Sequence, residues 1–127
     1  MITSTQESAE IIEASIEELH WALNVLRTPD ADKVIDYHLG KEDSKPDETT
    51  NFSVLTAVET YLSCHQFFYH EDSDFPELAD TAGLHIDAAR ERIRTIITDR
   101  VSKTRFEETN PRSLLNIMCS VDTYDAP

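Results

Sequence analysis

The chain has 127 residues, 39% of them hydrophobic, with 25 acidic against 11 basic side chains and a formal net charge of -14. That apolar content suffices for one modest core. Cys64 and Cys119 exclude a disulfide framework, and without a secretory leader or an apolar run of about 18 residues the sequence predicts a cytoplasmic protein with reduced thiols and no membrane partner.

Only two glycines occur, and Ala, Leu, Ile, Glu and Arg recur at helical spacings. The expectation is a mostly α single domain of five or six helices, with no sheet of consequence. Ile12, Ile16, Leu19, Leu23 and Leu26 form one apolar stripe in a first helix from about Ser4 to Leu26. Glu7, Glu10, Glu13, Glu17 and Glu18 fill its other faces, close to the positive end of the helix dipole. Thr28, Pro29 and Asp30 read as a cap and first turn, predicting a second helix to about Leu39 that Gly40 stops. Residues 4–40 thus read as an acidic helical hairpin. Lys41 to Asn51 lacks apolar side chains and reads as an acidic loop.

Asn51 or Ser53 opens a third helix carrying Leu55, Val58 and Leu62, which runs into Phe67, Phe68 and Tyr69. Asp74 is placed to cap a short fourth helix with Leu78, Ala79 and Ala82 facing inward, ended by Gly83. Asp87 is placed to cap a fifth, whose Ala89, Ile93, Ile96, Ile97 and Val101 form its buried side to about Ser102 or Lys103. Asn110 and Pro111 repeat the capping pattern ahead of a short sixth helix with Leu114, Leu115, Ile117 and Met118. The helical part spans 52–119, and the tail 120–127 is expected to fray.

Charge divides the chain. Residues 1–78 hold 4 Lys and Arg against 17 Asp and Glu, whereas residues 79–127 hold 7 against 8. Residues 74–103 read as a helix-turn-helix-like unit, with Ala79 small in the first helix, Gly83 in the turn and Leu84 after it. Its second helix departs from that pattern, with Ala89 where a larger anchor is usual and Arg92 where an apolar anchor is common.

The segment DFPELADTAGLHIDAARERIR resembles a recurrent segment of small phage- and prophage-borne helical proteins. In those an Asp-Phe pair leads into a short helix, then Ala-Gly-Leu-Asp, then an arginine-studded helix. Asp74, Phe75, Leu78, Ala82, Gly83, Leu84, Arg90 and Arg94 match, and NFSVLTAVETYL is similar to the helix that precedes the segment there. His85 replaces the acid and Ala89 a branched residue, and the likeness covers residues 51–98. It implies a phage-type DNA-binding regulator.

Duplex DNA demands a local positive face, because Lys and Arg contacts to phosphate supply most of the affinity. Ala88 to Arg105 holds six basic residues against two acidic. Arg90, Arg94, Arg100, Lys103 and Arg105 are the candidates for that face, with His85 and Arg90 placed for base edges and Arg100, Lys103 and Arg105 for the phosphate backbone. A homodimer reading paired half-sites accompanies this expectation.

A different class of function rests on the acidic front. Exposed carboxylates along one side imitate duplex DNA and block a basic nucleic-acid-binding protein of restriction, CRISPR or transcription machinery. Its operative residues are Glu7, Glu10, Glu13, Glu17, Asp30, Asp32 and Asp36. A solvated surface that merely keeps the chain soluble also accounts for the acid, as internal ion pairing accounts for the arginines.

Chemistry is poorly supported, and the expectation is a non-enzymatic protein without cofactor or metal. Cys64, His65, His70, Glu71 and Asp72 cluster in sequence, but a spacing of five keeps the two histidines off one helix face. No glycine-rich phosphate loop, nucleophile elbow or HExxH pattern occurs. Trp21 reads as packing or a dimer contact.

Overall fold

The computed structural model describes residues 4–101 and 104–125, with side chains described as far as residue 119. Among the described residues the structure is all helical: α1 (Thr5–Leu26), α2 (Pro29–His38), α3 (Glu48–Tyr69), α4 (Phe75–Thr81), α5 (Ile86–Val101) and α6 (Pro111–Asp125). None of these helices is long and apolar enough to cross a membrane.

Local chemistry sets the helix ends. Ser4 Oγ accepts the Glu7 N–H at 3.1 Å, Thr28 Oγ1 accepts that of Ala31 at 3.2 Å, and Asn110 Oδ1 accepts that of Ser113 at 3.1 Å. Both glycines end helices in the left-handed region, Gly40 at φ 79° and Gly83 at φ 77°. Each closes a paired bond set: Gly83 N–H to Asp80 O at 3.1 Å with Leu84 N–H to Ala79 O at 2.8 Å, and Gly40 N–H to Tyr37 O at 3.1 Å with Lys41 N–H to Asp36 O at 2.7 Å.

Four boundaries differ from the sequence reading. α3 starts at Glu48 rather than Asn51 or Ser53, because the Asp47 carboxylate takes the Thr50 N–H at 3.1 Å and its hydroxyl at 2.7 Å. Those bonds also hold the Asp47 carboxyl below its ordinary pKa. Asp74 makes no capping bond; Ser73 replaces it, its hydroxyl donating to Phe67 O at 2.6 Å and accepting the Phe75 N–H at 3.4 Å. Asp87 lies inside the first turn of α5, since the short turn after Gly83 lets His85 O accept the Ala89 N–H. α6 runs to Asp125, beyond the Cys119 limit read from sequence, and residues 126 and 127 of the expected tail lie outside the described residues.

The 22-residue helices α1 and α3 form the central pair. They run antiparallel: the Cys64 thiol donates to Ser15 O at 3.5 Å, and Ile12 shares a cavity wall with Phe68. α4 and α5 pack on α1, while α2 and α6 pack on α3. Leu19, Leu23 and Leu26 from α1 meet Val54, Val58 and Phe68 from α3 in the core. Phe75, carrying no inward role in the sequence reading, is fully buried, its ring edge-on to Phe67 and Phe68 at 5.6 and 5.1 Å. Leu78 and Ala82 are only half-buried, and Ile117 is exposed.

Candidate functional surfaces

The helix-turn-helix-like unit forms as α4, the Gly83 turn and α5, but its basic residues do not gather on one open face. Arg90 turns inward: its Nε donates to Phe68 O at 2.7 Å, its guanidinium lies 5.8 Å from the Phe75 ring centre, and its own carbonyl accepts the Tyr69 hydroxyl at 2.8 Å. Arg100 donates to Asn24 Oδ1 on α1. Arg94 is exposed and pairs with Glu91 at 3.2 Å, 6.0 Å from the Tyr69 ring centre. Lys103 lies outside the described residues. His85 and Arg92 are exposed. The exposed side of α5 also carries Asp87, Glu91 and Asp99, three carboxylates against the guanidiniums of Arg92 and Arg94.

Arg105 belongs to a different structure altogether. Its backbone N–H donates to Asp32 Oδ1 at 2.9 Å, and its Nη1 donates to Glu108 Oε2 at 2.6 Å. Its Nε approaches Asp36 Oδ1 to 2.8 Å, a charge contact too far out of line to count as a hydrogen bond. The Glu108 bond, then the Asp36 charge, push the Arg105 pKa further up. This lock fastens the segment after α5 onto α2. It withdraws Asp32 and Asp36 from the expected acidic face, so those two carboxylates are half-buried structural partners.

The remaining acid of the front half stands open. Glu7, Glu10, Glu13 and Glu17 are exposed along α1 with Glu18, and none makes an ion pair with a described residue. At about 100° and 1.5 Å per residue, these five carboxylates fan over the side of α1 opposite its core stripe within roughly 17 Å of axis. Trp21, 45% exposed, and Ile11, 43% exposed, lie among them. Asp30 is exposed on α2, beside a polar cleft that also takes in Lys33 and Lys45. Glu18 completes the row that the sequence reading left at four glutamates on α1; the signal was its place in the series Ile11, Ala14, Glu18 and Trp21, spaced three, four and three.

Comparison with family models, curated proteins and solved structures finds no match.

The sequence cluster around Cys64 does not converge. Cys64 is 3% exposed, and burial with the nearby Glu18 charge raises its thiol pKa to about 11. His65 stacks between Tyr61 and Tyr69, at ring distances of 5.9 and 4.7 Å, and burial lowers its pKa. His70 Nδ1 accepts the Asp72 N–H at 3.1 Å. Among the described residues no three His, Cys, Asp or Glu side chains are grouped to hold a metal ion.

A cavity of about 240 Å³ opens where α1, the end of α3, α4 and the start of α5 meet. Ile12, Phe68, Phe75 and Ile93 are its buried walls, and Leu84, His85 and Arg92 stand at its mouth. The sequence reading gave Ala89 as a weak anchor; here that small side chain is what leaves the floor open.

Proposed function

We propose that this chain acts by non-covalent contact, presenting the outer face of α1 to a cationic protein surface that otherwise holds nucleic acid. The observation that carries the reading is the row of five exposed glutamates, none ion-paired with a described residue, with Trp21 among them. Carboxylates spaced mostly about one helical turn apart along α1 offer a basic cleft a run of negative charge like that of a phosphate backbone, steering the encounter. Trp21 supplies the apolar anchor that a charged surface alone lacks, since buried tryptophans commonly dominate interface energies.

The decisive experiment is displacement of a labelled duplex from basic nucleic-acid-binding proteins: a restriction endonuclease, a guide-loaded CRISPR effector and RNA polymerase. The expected outcome is salt-sensitive displacement from at least one of them. It falls about tenfold or more with Glu13→Lys plus Glu17→Lys, and with Trp21→Ala. Displacement from none, or displacement indifferent to those substitutions, overturns the reading.

The second reading is a helix-turn-helix regulator, in line with the phage segment that residues 51–98 resemble. Its support is the formed α4–Gly83–α5 unit with His85, Arg92 and Arg94 exposed. It stands second because three carboxylates, Asp87, Glu91 and Asp99, stand against the two guanidiniums of Arg92 and Arg94 on that surface. A salt-sensitive gel shift of duplex DNA by the chain alone is its signature, and paired half-sites would call for a homodimer.

A further inference from the structure

The cavity behind the α4–α5 turn carries an inference independent of the α1 surface. Its walls are apolar on every side that faces the core: Ile12 and Ile16 from α1, Phe68 from α3, Phe75 from α4, Ala89 and Ile93 from α5. Leu84 stands 45% exposed at its mouth, so an apolar edge reaches solvent there.

The same mouth holds an uncommitted cation. Arg90, Arg94 and Arg100 each donate a hydrogen bond within the protein, to Phe68 O, Glu91 and Asn24 respectively. Arg92 makes no hydrogen bond or ion pair with a described residue, and it lines the cavity together with exposed His85. An apolar floor beneath an unpaired guanidinium is the arrangement that recognises an apolar body with an anionic head.

Size narrows the class. An apolar cavity of about 150 Å³ admits benzene, so roughly 240 Å³ accommodates a ring with a short tail, about ten non-hydrogen atoms. We propose that this cavity binds a small apolar monocarboxylate. Its hydrocarbon end lies against Ile12, Phe68 and Ile93, and its carboxylate sits on Arg92 with His85 alongside. The guanidinium fork matches a carboxylate edge-on, a fit that an amide or amine head does not reproduce. The chain's charge of -14 opposes an approaching anion, but at physiological salt the screening length is about 8 Å. At contact the nearest cation therefore governs.

The test is an amide NMR titration of the full chain with three probes of one skeleton: 3-phenylpropanoate, 3-phenylpropanamide and 3-phenylpropylamine. The expected result is saturable shifts at Ile12, Ile16, Leu84, Ala89 and Ile93 with the carboxylate. Binding is at least fivefold weaker for the amide and undetectable for the amine. Arg92→Gln, an exposed substitution, lowers carboxylate affinity to that of the amide and leaves the amide unchanged. Ala89→Leu fills the floor and abolishes both, and if that variant fails to fold, Arg92→Gln alone decides. The proposal is overturned by an absence of shifts at millimolar carboxylate, by shifts that centre elsewhere, by equal affinity for carboxylate and amide, or by an Arg92→Gln protein that still prefers the acid.

Discussion

Arg90 has the sequence position of a DNA-reading residue and the environment of a structural one. Its Nε satisfies the Phe68 carbonyl near the end of α3, and the Tyr69 hydroxyl returns a bond to the Arg90 carbonyl. A half-buried guanidinium held by a carbonyl and an aromatic face is drawn away from any external phosphate. Cys64 is governed by the same rule from the opposite direction: burial favours its neutral thiol and raises the pKa to about 11. The unfolded thiol ionises near 9.0, so Cys64 contributes stability that is complete below that pH and lost as pH climbs toward 11. Denaturant midpoints should therefore fall between pH 9 and 11 in the parent protein and fall less in Cys64→Ala. At pH 8, iodoacetamide followed by mass spectrometry should label exposed Cys119 well before Cys64.

At the scale of elements, the α4–α5 turn depends on one dihedral angle. Gly83 sits at φ 77° with open space where a Cβ would project, so Gly83→Ala meets strain without a clash. A left-handed alanine costs about 1 kcal/mol or somewhat more, which for a domain of this size lowers the melting midpoint by roughly 3–5 °C. A calorimetric midpoint unchanged within 1 °C would show that the turn relaxes. Such turns were legible in sequence because capping is local: Ser4, Thr28, Asn110 and both glycines each act on backbone within a few residues. The start of α3 is not legible in the same way, because Glu48, Thr49 and Thr50 carry no apolar periodicity and the Asp47 bonds mark it instead. What no local pattern held was the destination of long side chains. Asp32 and Asp36 lock onto Arg105 across some seventy positions of chain, and counting charge along residues 88–105 could not separate committed cations from open ones.

For the whole molecule, the excess of acid is a stored repulsion. Ion pairs engage Glu91, Asp36 and Glu108, whereas the chain carries 25 acidic side chains against 11 basic ones. Screening at about 3–4 Å, reached near 1 M salt, should raise the melting midpoint by several degrees over a value taken near 0.01 M, where the screening length is about 30 Å. A midpoint flat across that range would place the carboxylates too far apart to repel. The centrality of α1, finally, bears on how the chain is made. It is translated before every helix it packs against, and its apolar stripe is covered stepwise by α3, α4 and lastly α5, whose end comes roughly 75 residues later; at common synthesis speeds that is about 4–15 s. Through that interval the glutamates exposed on its far side set like charges against one another wherever two nascent copies approach, the placement that gatekeeper residues have beside an apolar segment.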